Sequence, residues 1–315
     1  MKYSVTYPLV THPHDPALVT GEAIARFAVA AERTGFSGVG FTDHPAPTHR
    51  WLLAGGHDAL DPFVALTYVA AVTEQIRLIP NILVLPYRNP FVVAKAVATL
   101  DALSGGRFTL AVAAGYLKGE YRALGVDFDE RNALFDEAIQ VLRGIWTTDD
   151  YAHEGLHFTA YGQTANPKPA ALPPIWIGGN SKLARRRVAE YGHGWRPFPA
   201  PPGVATTAKT PPLEGVDDLA RMLDHLWQVV DEAGRDRADI DVSYGTGAGG
   251  HLGRDDFDPD ARLEALDELG RLGVTWADVH IPGDSIDHAI EAMEQFGETV
   301  IRPAAASAPG PDDGR

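Results

Sequence analysis

A histidine that directly follows an aspartate at the end of an apolar run is the best candidate in this chain for proton chemistry. Asp43-His44 comes after Val39-Gly40-Phe41-Thr42. An imidazole there can give or take a proton near neutral pH, and a neighbouring carboxylate can fix its tautomer or raise its pKa. Taken alone, such a pair more often marks a structural histidine bound to its loop. A second group suits an anion. Gly178-Gly179-Asn180-Ser181 leads from the apolar Ile175-Trp176-Ile177 into a helical stretch, so free backbone amides collect at a positive helix end. Lys182, Arg185 and Arg186 recur there at spacings of three and four, which puts them on one face while Ala184, Val188 and Tyr191 face the core. A basic cluster in an acidic chain points to an anionic ligand, although a basic helix face is ordinarily just solvated. Trp51, His57, Trp195 and Phe198 fall near strand ends and are expected to line an apolar substrate pocket, a position where aromatics are core as often as lining.

The elements that must position these groups alternate. Strands are predicted near 2–10, 37–42, 76–85, 107–114, 174–178, 194–198, 239–244 and 275–281, and helices over 19–34, 61–74, 90–104, 130–147, 181–191, 215–234, 258–272 and 284–299. The clearest unit runs from Ile76 to Gly115. An apolar strand to Leu85 is followed by Asn89 as a helix cap, Pro90 at the first helical position, a helix of apolar spacing, and a Gly105-Gly106 stop before the next strand. Asp101 and Arg107 are expected to pair around that helix end. The pattern predicts a single (β/α)8 TIM barrel over 1–302, whose strand C-terminal ends share one mouth. Insertions are expected at about 148–171 and 199–212, after the fourth and sixth strands, the first with a strand-like piece at Leu156–Ala160. The second is read as a lid at the mouth, with a plain linker as its alternative. The tail, 303–315, is expected to be disordered.

Several multi-residue words within this frame resemble the luciferase-like monooxygenase superfamily, in its coenzyme F420-dependent, actinobacterial branch. They are Val84-Leu85-Pro86-Tyr87-Arg88-Asn89-Pro90-Phe91, Ala94-Lys95, Leu100-Asp101-Ala102-Leu103-Ser104-Gly105-Gly106-Arg107 and Gly115-Tyr116-Leu117-Lys118-Gly119-Glu120. Phe41-Thr42-Asp43-His44-Pro45, Pro173 to Asn180 and Gly192-His193-Gly194-Trp195 continue the match, which spans roughly 3 to 198. The resemblance implies that His44, with Asp43 beside it, acts next to a reacting ring carbon. It implies that Asn81-Ile82 is a non-prolyl cis peptide behind the cofactor ring, that Gly115 and Tyr116 lie against the cofactor, and that Gly178 to Ser181 hold its phosphate. It also implies a homodimer. F420 carries an oligoglutamate tail beyond its phosphate, so cations past the phosphate loop favour F420 over FMN. The sugar-phosphate dehydrogenases of the branch place a Trp four residues after the His and a Glu one residue after the fourth-strand glycine. Thr48 and Tyr116 stand there, which argues against that reaction, although the Tyr116 phenol can still donate a proton. Glu120 can serve structure or function.

Composition bounds the rest. The 315 residues are 45% apolar and carry 27 basic against 42 acidic groups, net -15, so nucleic acid and anionic membranes are repelled. No cysteine is present, which excludes thiolate chemistry. Neither a signal peptide nor a membrane span is visible, and a cytoplasmic enzyme acting on a small molecule is expected. His12-Pro13-His14 mimics the His-x-His pair of zinc amidohydrolase barrels. The remainder of that site is missing, since the fifth strand ends in Gly-Gly-Asn and the eighth offers only Asp284, so no metal is expected and His12 is assigned to substrate. The rivals are an FMN-dependent monooxygenase on the same barrel and a flavin-binding protein without catalysis.

Overall fold

The computed structural model describes residues 1–307. The barrel strands are β1 (Lys2–Thr6), β2 (Gly38–Gly40), β3 (Arg77–Leu78), β4 (Leu83–Val84) and β5 (Leu110–Ala113). After a hairpin of β6 (Tyr151–Glu154) and β7 (Thr159–Gln163) come β8 (Ile175–Gly178), β9 (Gly194–Arg196), β10 (Asp241–Tyr244) and β11 (Trp276–Val279). The main sheet has nine strands in the order β3-β2-β1-β11-β10-β9-β8-β5-β4. Every pair in it is parallel. The two ends of this order, β3 and β4, are halves of one barrel strand, so nine strands count as eight positions, as the sequence predicts. A parallel bridge between Leu78 and Phe108, with the Thr109 N–H donating to the Leu78 carbonyl at 3.0 Å, closes the ring. The third strand, predicted as continuous over 76–85, is interrupted at 79–82, where the Asn81–Ile82 peptide is cis.

Large side chains fill the barrel, and glycines make room for them. The Trp176 and Trp276 rings meet edge to face at 5.2 Å. A Cβ on Gly194 would lie 2.4 Å from Trp176, and one on Gly38 would lie 2.8 Å from Ile79 and 3.2 Å from Trp276. Above them a polar layer crosses the interior: Arg196 pairs with Asp278 at 2.8 Å, Ser4 donates to Asp278 at 3.2 Å, and Arg196 donates to Ser243 at 3.1 Å.

The outer helices are α1 (Gly21–Thr34), α3 (Pro62–Val72), α4 (Pro90–Leu103), α6 (Arg131–Thr147), α7 (Lys182–Tyr191), α9 (Val216–Glu232), α10 (Pro259–Arg271) and α11 (Ile286–Phe296), with short α2 (His49–Leu53), α5 (Lys118–Ala123) and α8 (Pro202–Ala208) among the loops. The starts of α4 and α3 are capped by side chains, that of α4 by the residue the sequence suggests. Asn89 accepts from the Phe91 N–H at 2.9 Å and Asp61 from Phe63 and Val64 at 3.0 and 3.1 Å. Gly105 and Gly106, at φ of 67° and 83°, take the left-handed turn that ends α4.

Three expectations change. Arg107 does not pair with Asp101; its guanidinium donates to the carbonyls of Ala70 and Thr73, both at 3.0 Å, and so closes the C-terminus of α3 instead. Segment 148–171 follows α6 and forms a whole hairpin, anchored where Glu137 accepts from the His157 and Phe158 amides at 3.0 and 2.9 Å. The predicted disordered tail begins instead as α12 (Arg302–Ser307), and its remainder, 308–315, lies outside the described residues.

Candidate active site at the barrel mouth

The strand ends converge on a cavity of about 470 Å³, a size ordinary for a small-molecule site. Thr42, Asp43 and His44 reach it from β2, Asn81, Ile82 and Val84 from the divided third strand, and Ala113 to Tyr116 from β5. Gly178 to Ser181 enter after β8 and Phe198 after β9, while Ala208, Lys209 and Thr210 bring segment 199–212 onto the mouth.

His44 does not share its ring with Asp43. The bidentate partner of Asp43 is Arg88, at 2.6 and 2.8 Å, and the same carboxylate accepts from the Val84 N–H at 2.8 Å. The carboxylate beside the imidazole is Glu120, whose Oε2 lies 3.2 Å from His44 Nδ1. Glu120 is fully buried. It also accepts from the Tyr87 hydroxyl at 3.0 Å and from the Ala46 N–H at 3.1 Å. A carboxylate in its ionised form can only accept, and that form of Glu120 puts the ring proton on Nδ1 and leaves Nε2 for a ligand. Burial, then Glu120, raises the Tyr116 phenol above its ordinary pKa, so it stays protonated and can donate.

Around His44 stand Trp51 at 4.7 Å, His57 at 5.0 Å and Tyr116 at 6.4 Å between ring centroids. His57 lines the cavity with its Nδ1 bonded to the Asp58 carbonyl at 3.0 Å. Burial lowers its pKa, which keeps it neutral at pH 7. Of the expected substrate residues His57 and Phe198 line the cavity, whereas Trp51, Trp195 and His12 do not, the last two being engaged elsewhere. Trp195 is wholly buried and its indole donates to the Gly179 carbonyl at 3.0 Å, so it supports the loop after β8 from behind. His12 is held by Asp58 at 3.0 Å, as is His14 at 2.7 Å, and neither lines the cavity. Among the described residues no group of three or more His, Cys, Asp or Glu is placed to hold a metal ion.

At the opposite end, Gly179 has φ of 110°, and Ser181 caps α7 by accepting from the Ala184 N–H at 3.1 Å. The Asn180 side chain faces its own structure, bonding Phe198 N and O at 3.0 Å and the Pro211 carbonyl at 3.1 Å. That ties segment 199–212 to the loop. The basic helix face is not where the sequence puts it. Arg185 is buried, donating to the Asn180 carbonyl at 2.9 Å and to His225 at 3.2 Å, while Lys182 and Arg186 are exposed and outside the cavity lining. The cations that do line it are Arg131, Arg187 and Lys209. Arg187 is matched by Asp136 at 2.6 and 2.9 Å. Arg131 was legible in principle: it opens the helix after the fourth barrel strand, and such loops lie on the mouth.

Comparison with known proteins agrees with this architecture. The sequence profile of the family described as luciferase-like monooxygenase matches residues 1–256. An FMNH(2)-dependent dimethylsulfone monooxygenase of Pseudomonas putida is 34% identical over 175 residues, 53% of this chain and 46% of that protein. The chain thus spans under half the length of that relative. An F420-dependent glucose-6-phosphate dehydrogenase of Intrasporangium calvum is 28% identical over 324 residues, 91% of this chain and 89% of the relative. Among solved structures, the monooxygenase RslO1 from Streptomyces bottropensis superposes with a TM-score of 0.79 at 21% identity, covering 96% of this chain and all of that one. No helix among the described residues is long and apolar enough to cross a membrane.

Proposed function

The chain belongs to the luciferase-like monooxygenase family, and on that footing we propose that it is an oxidoreductase transferring a hydride between coenzyme F420 and a small organic substrate, with His44 as proton donor or acceptor. The observation that carries this reading is the imidazole at the cavity wall with a buried carboxylate behind it, at 3.2 Å. That arrangement holds a proton on one nitrogen while the other faces the reaction space.

The cavity suits such a cofactor. Ile82, Val84, Ala113 and Ala114 supply an apolar wall for a flat ring. A Cβ on Gly115 would come within 2.5 Å of Val84, so the backbone there approaches as closely as glycine allows. Amides of Gly178 to Ser181 can hold a phosphate. When bound, F420 supplies a two-electron carrier that does not activate oxygen. The protein's own part is to fix the pocket and manage the proton. Asp43 with Arg88 pins the loop carrying His44, Glu120 orients the ring, Tyr116 donates from a neutral phenol, and Trp51 with neutral His57 screens the imidazole from water.

FMN is the second reading, favoured by the dimethylsulfone monooxygenase relative, which uses FMNH2. Titrating the protein separately with F420 and FMN, followed through quenching of its six tryptophans, decides between them. In the F420-loaded protein, His44→Ala is expected to retain cofactor affinity and lose turnover; equal loss of both would make His44 a binding residue. This reading also takes the protein as a cytoplasmic homodimer.

A further inference from the structure

We propose that Lys118, Arg131 and Lys209 form a second anion site at the rim of the cavity, gripping carboxylates carried on the far end of the bound cofactor; the inference rests on the F420 reading above. Three cations surround one aromatic ring. The Arg131 guanidinium sits 3.9 Å from the Phe128 centroid, Lys209 Nζ 4.6 Å and Lys118 Nζ 4.9 Å. A ring quadrupole attracts each of them, yet three like charges around one ring repel one another and call for a counter-anion. The protein supplies little. Lys118 reaches Asp129 only at 3.9 Å, with both side chains largely exposed. Among the described residues no carboxylate lies within ion-pairing distance of Arg131 or Lys209. This contrasts with Arg187, the third cation of the cavity, which Asp136 neutralises.

Arg131 opens α6, whose N-cap residue, Glu130, makes no side-chain capping bond, so the first-turn amides stay open to a ligand. Its Nη1 donates to the Phe128 carbonyl at 2.8 Å, which fixes the guanidinium and leaves its other donors for a ligand. The three cations come from separate elements: Lys118 from α5, Arg131 from α6 and Lys209 from the end of α8, where it holds a left-handed φ of 50°. An anion bridging Arg131 and Lys209 therefore also ties segment 199–212 over the mouth. In a chain of net charge -15, such a cluster is a local reversal of the prevailing field. The ligand chemistry it fits is a string of carboxylates, as an oligoglutamate tail provides and FMN lacks.

The test compares wild type with the Lys118→Glu, Lys209→Glu double variant, titrated by tryptophan quenching with glutamate-bearing F420, with the form lacking glutamates, and with FMN. Wild type is expected to bind the glutamate-bearing form roughly three- to tenfold more tightly than the tail-less one. The advantage should vanish in high salt and in the double variant, with the tail-less form and FMN weakened less than the glutamate-bearing form. Equal binding of both deazaflavin forms by wild type overturns the proposal. So does an equal weakening of all three ligands, which would put these cations on the shared phosphate. If FMN alone binds, the F420 reading itself has failed and the rim site loses its ligand with it.

Discussion

His44 Nδ1 lies 3.2 Å from Glu120 Oε2, across 76 residues of sequence, and Glu120 is fully buried. Among the described residues its other donors are the Tyr87 hydroxyl and the Ala46 amide. Glu120→Gln keeps the shape but removes the charge and replaces one of the two accepting oxygens with an NH2 donor, which faces groups that themselves donate. Turnover is expected to fall by about 10²- to 10⁴-fold while cofactor affinity and unfolding temperature hold. Glu120→Asp, which keeps the charge at a longer reach, should recover part of the rate. Unchanged turnover in Glu120→Gln would reduce this carboxylate to a wall of the pocket.

Arg88 and Asp43 make the counterpart that the sequence hides. The Asp43 side chain is 1% exposed and that of Arg88 18%, with a contact of 2.6 Å between them. Removing the cation leaves a buried carboxylate without its partner. Arg88→Leu is therefore expected to cost about 3–5 kcal/mol of stability. Denaturant unfolding measures it, and a loss within about 0.5 kcal/mol would show that the Val84 amide alone can hold Asp43.

The barrel was legible because it is written in local signals: apolar runs, the Asn89-Pro90 start and the Gly105-Gly106 stop each act over a few residues. The site was legible only in part. Adjacency suggested Asp43 as the partner of His44, but neighbours on a strand end point to different sides, and each has its partner on a distant element, Arg88 for Asp43 and Glu120 for His44. Periodicity placed Arg185 with Lys182 and Arg186 on one face expected to meet an anionic ligand, whereas the packing of α7 against α9 encloses Arg185 beside His225. Trp195 shows the same limit, since a strand-end aromatic reads alike whether it faces the cavity or the layer behind it. Arg131 and Lys209 meet over Phe128 through tertiary contacts that no spacing rule connects.

Acid should destabilise the fold before its carboxylates titrate. His193 accepts the Ile175 N–H on Nδ1 at 3.2 Å, and burial, then Arg235 and Arg143, lowers its pKa below the ordinary 6.5. The unfolded chain thus takes up a proton first as pH falls, so this contribution is complete above about pH 6.5 and is lost from there down through the folded pKa. His57 and His225 are lowered in the same direction. Unfolding temperatures recorded from pH 8 to 5 should drop below pH 6.5 in wild type and drop less in His193→Gln. Parallel curves for the two proteins would remove His193 from the account.

Gly178 couples the loop after β8 to the cavity wall. A Cβ there would stand 2.4 Å from Ile82 Cδ1 and 3.4 Å from the Ala113 side chain. The first contact is the far end of a flexible side chain, so Gly178→Ala is accommodated by turning Ile82 rather than by moving backbone. Ile82 lines the cavity, and its displaced methyl takes space a flat ring needs. The expected cost is modest in stability, about 1–2 kcal/mol, and larger in cofactor affinity, on the order of tenfold. Adding Ile82→Ala removes the displaced atoms and should restore much of that affinity, so the two substitutions are non-additive in binding. Additive losses in the double variant would mean that the alanine acts through the loop itself, and that Ile82 is not the element transmitting it.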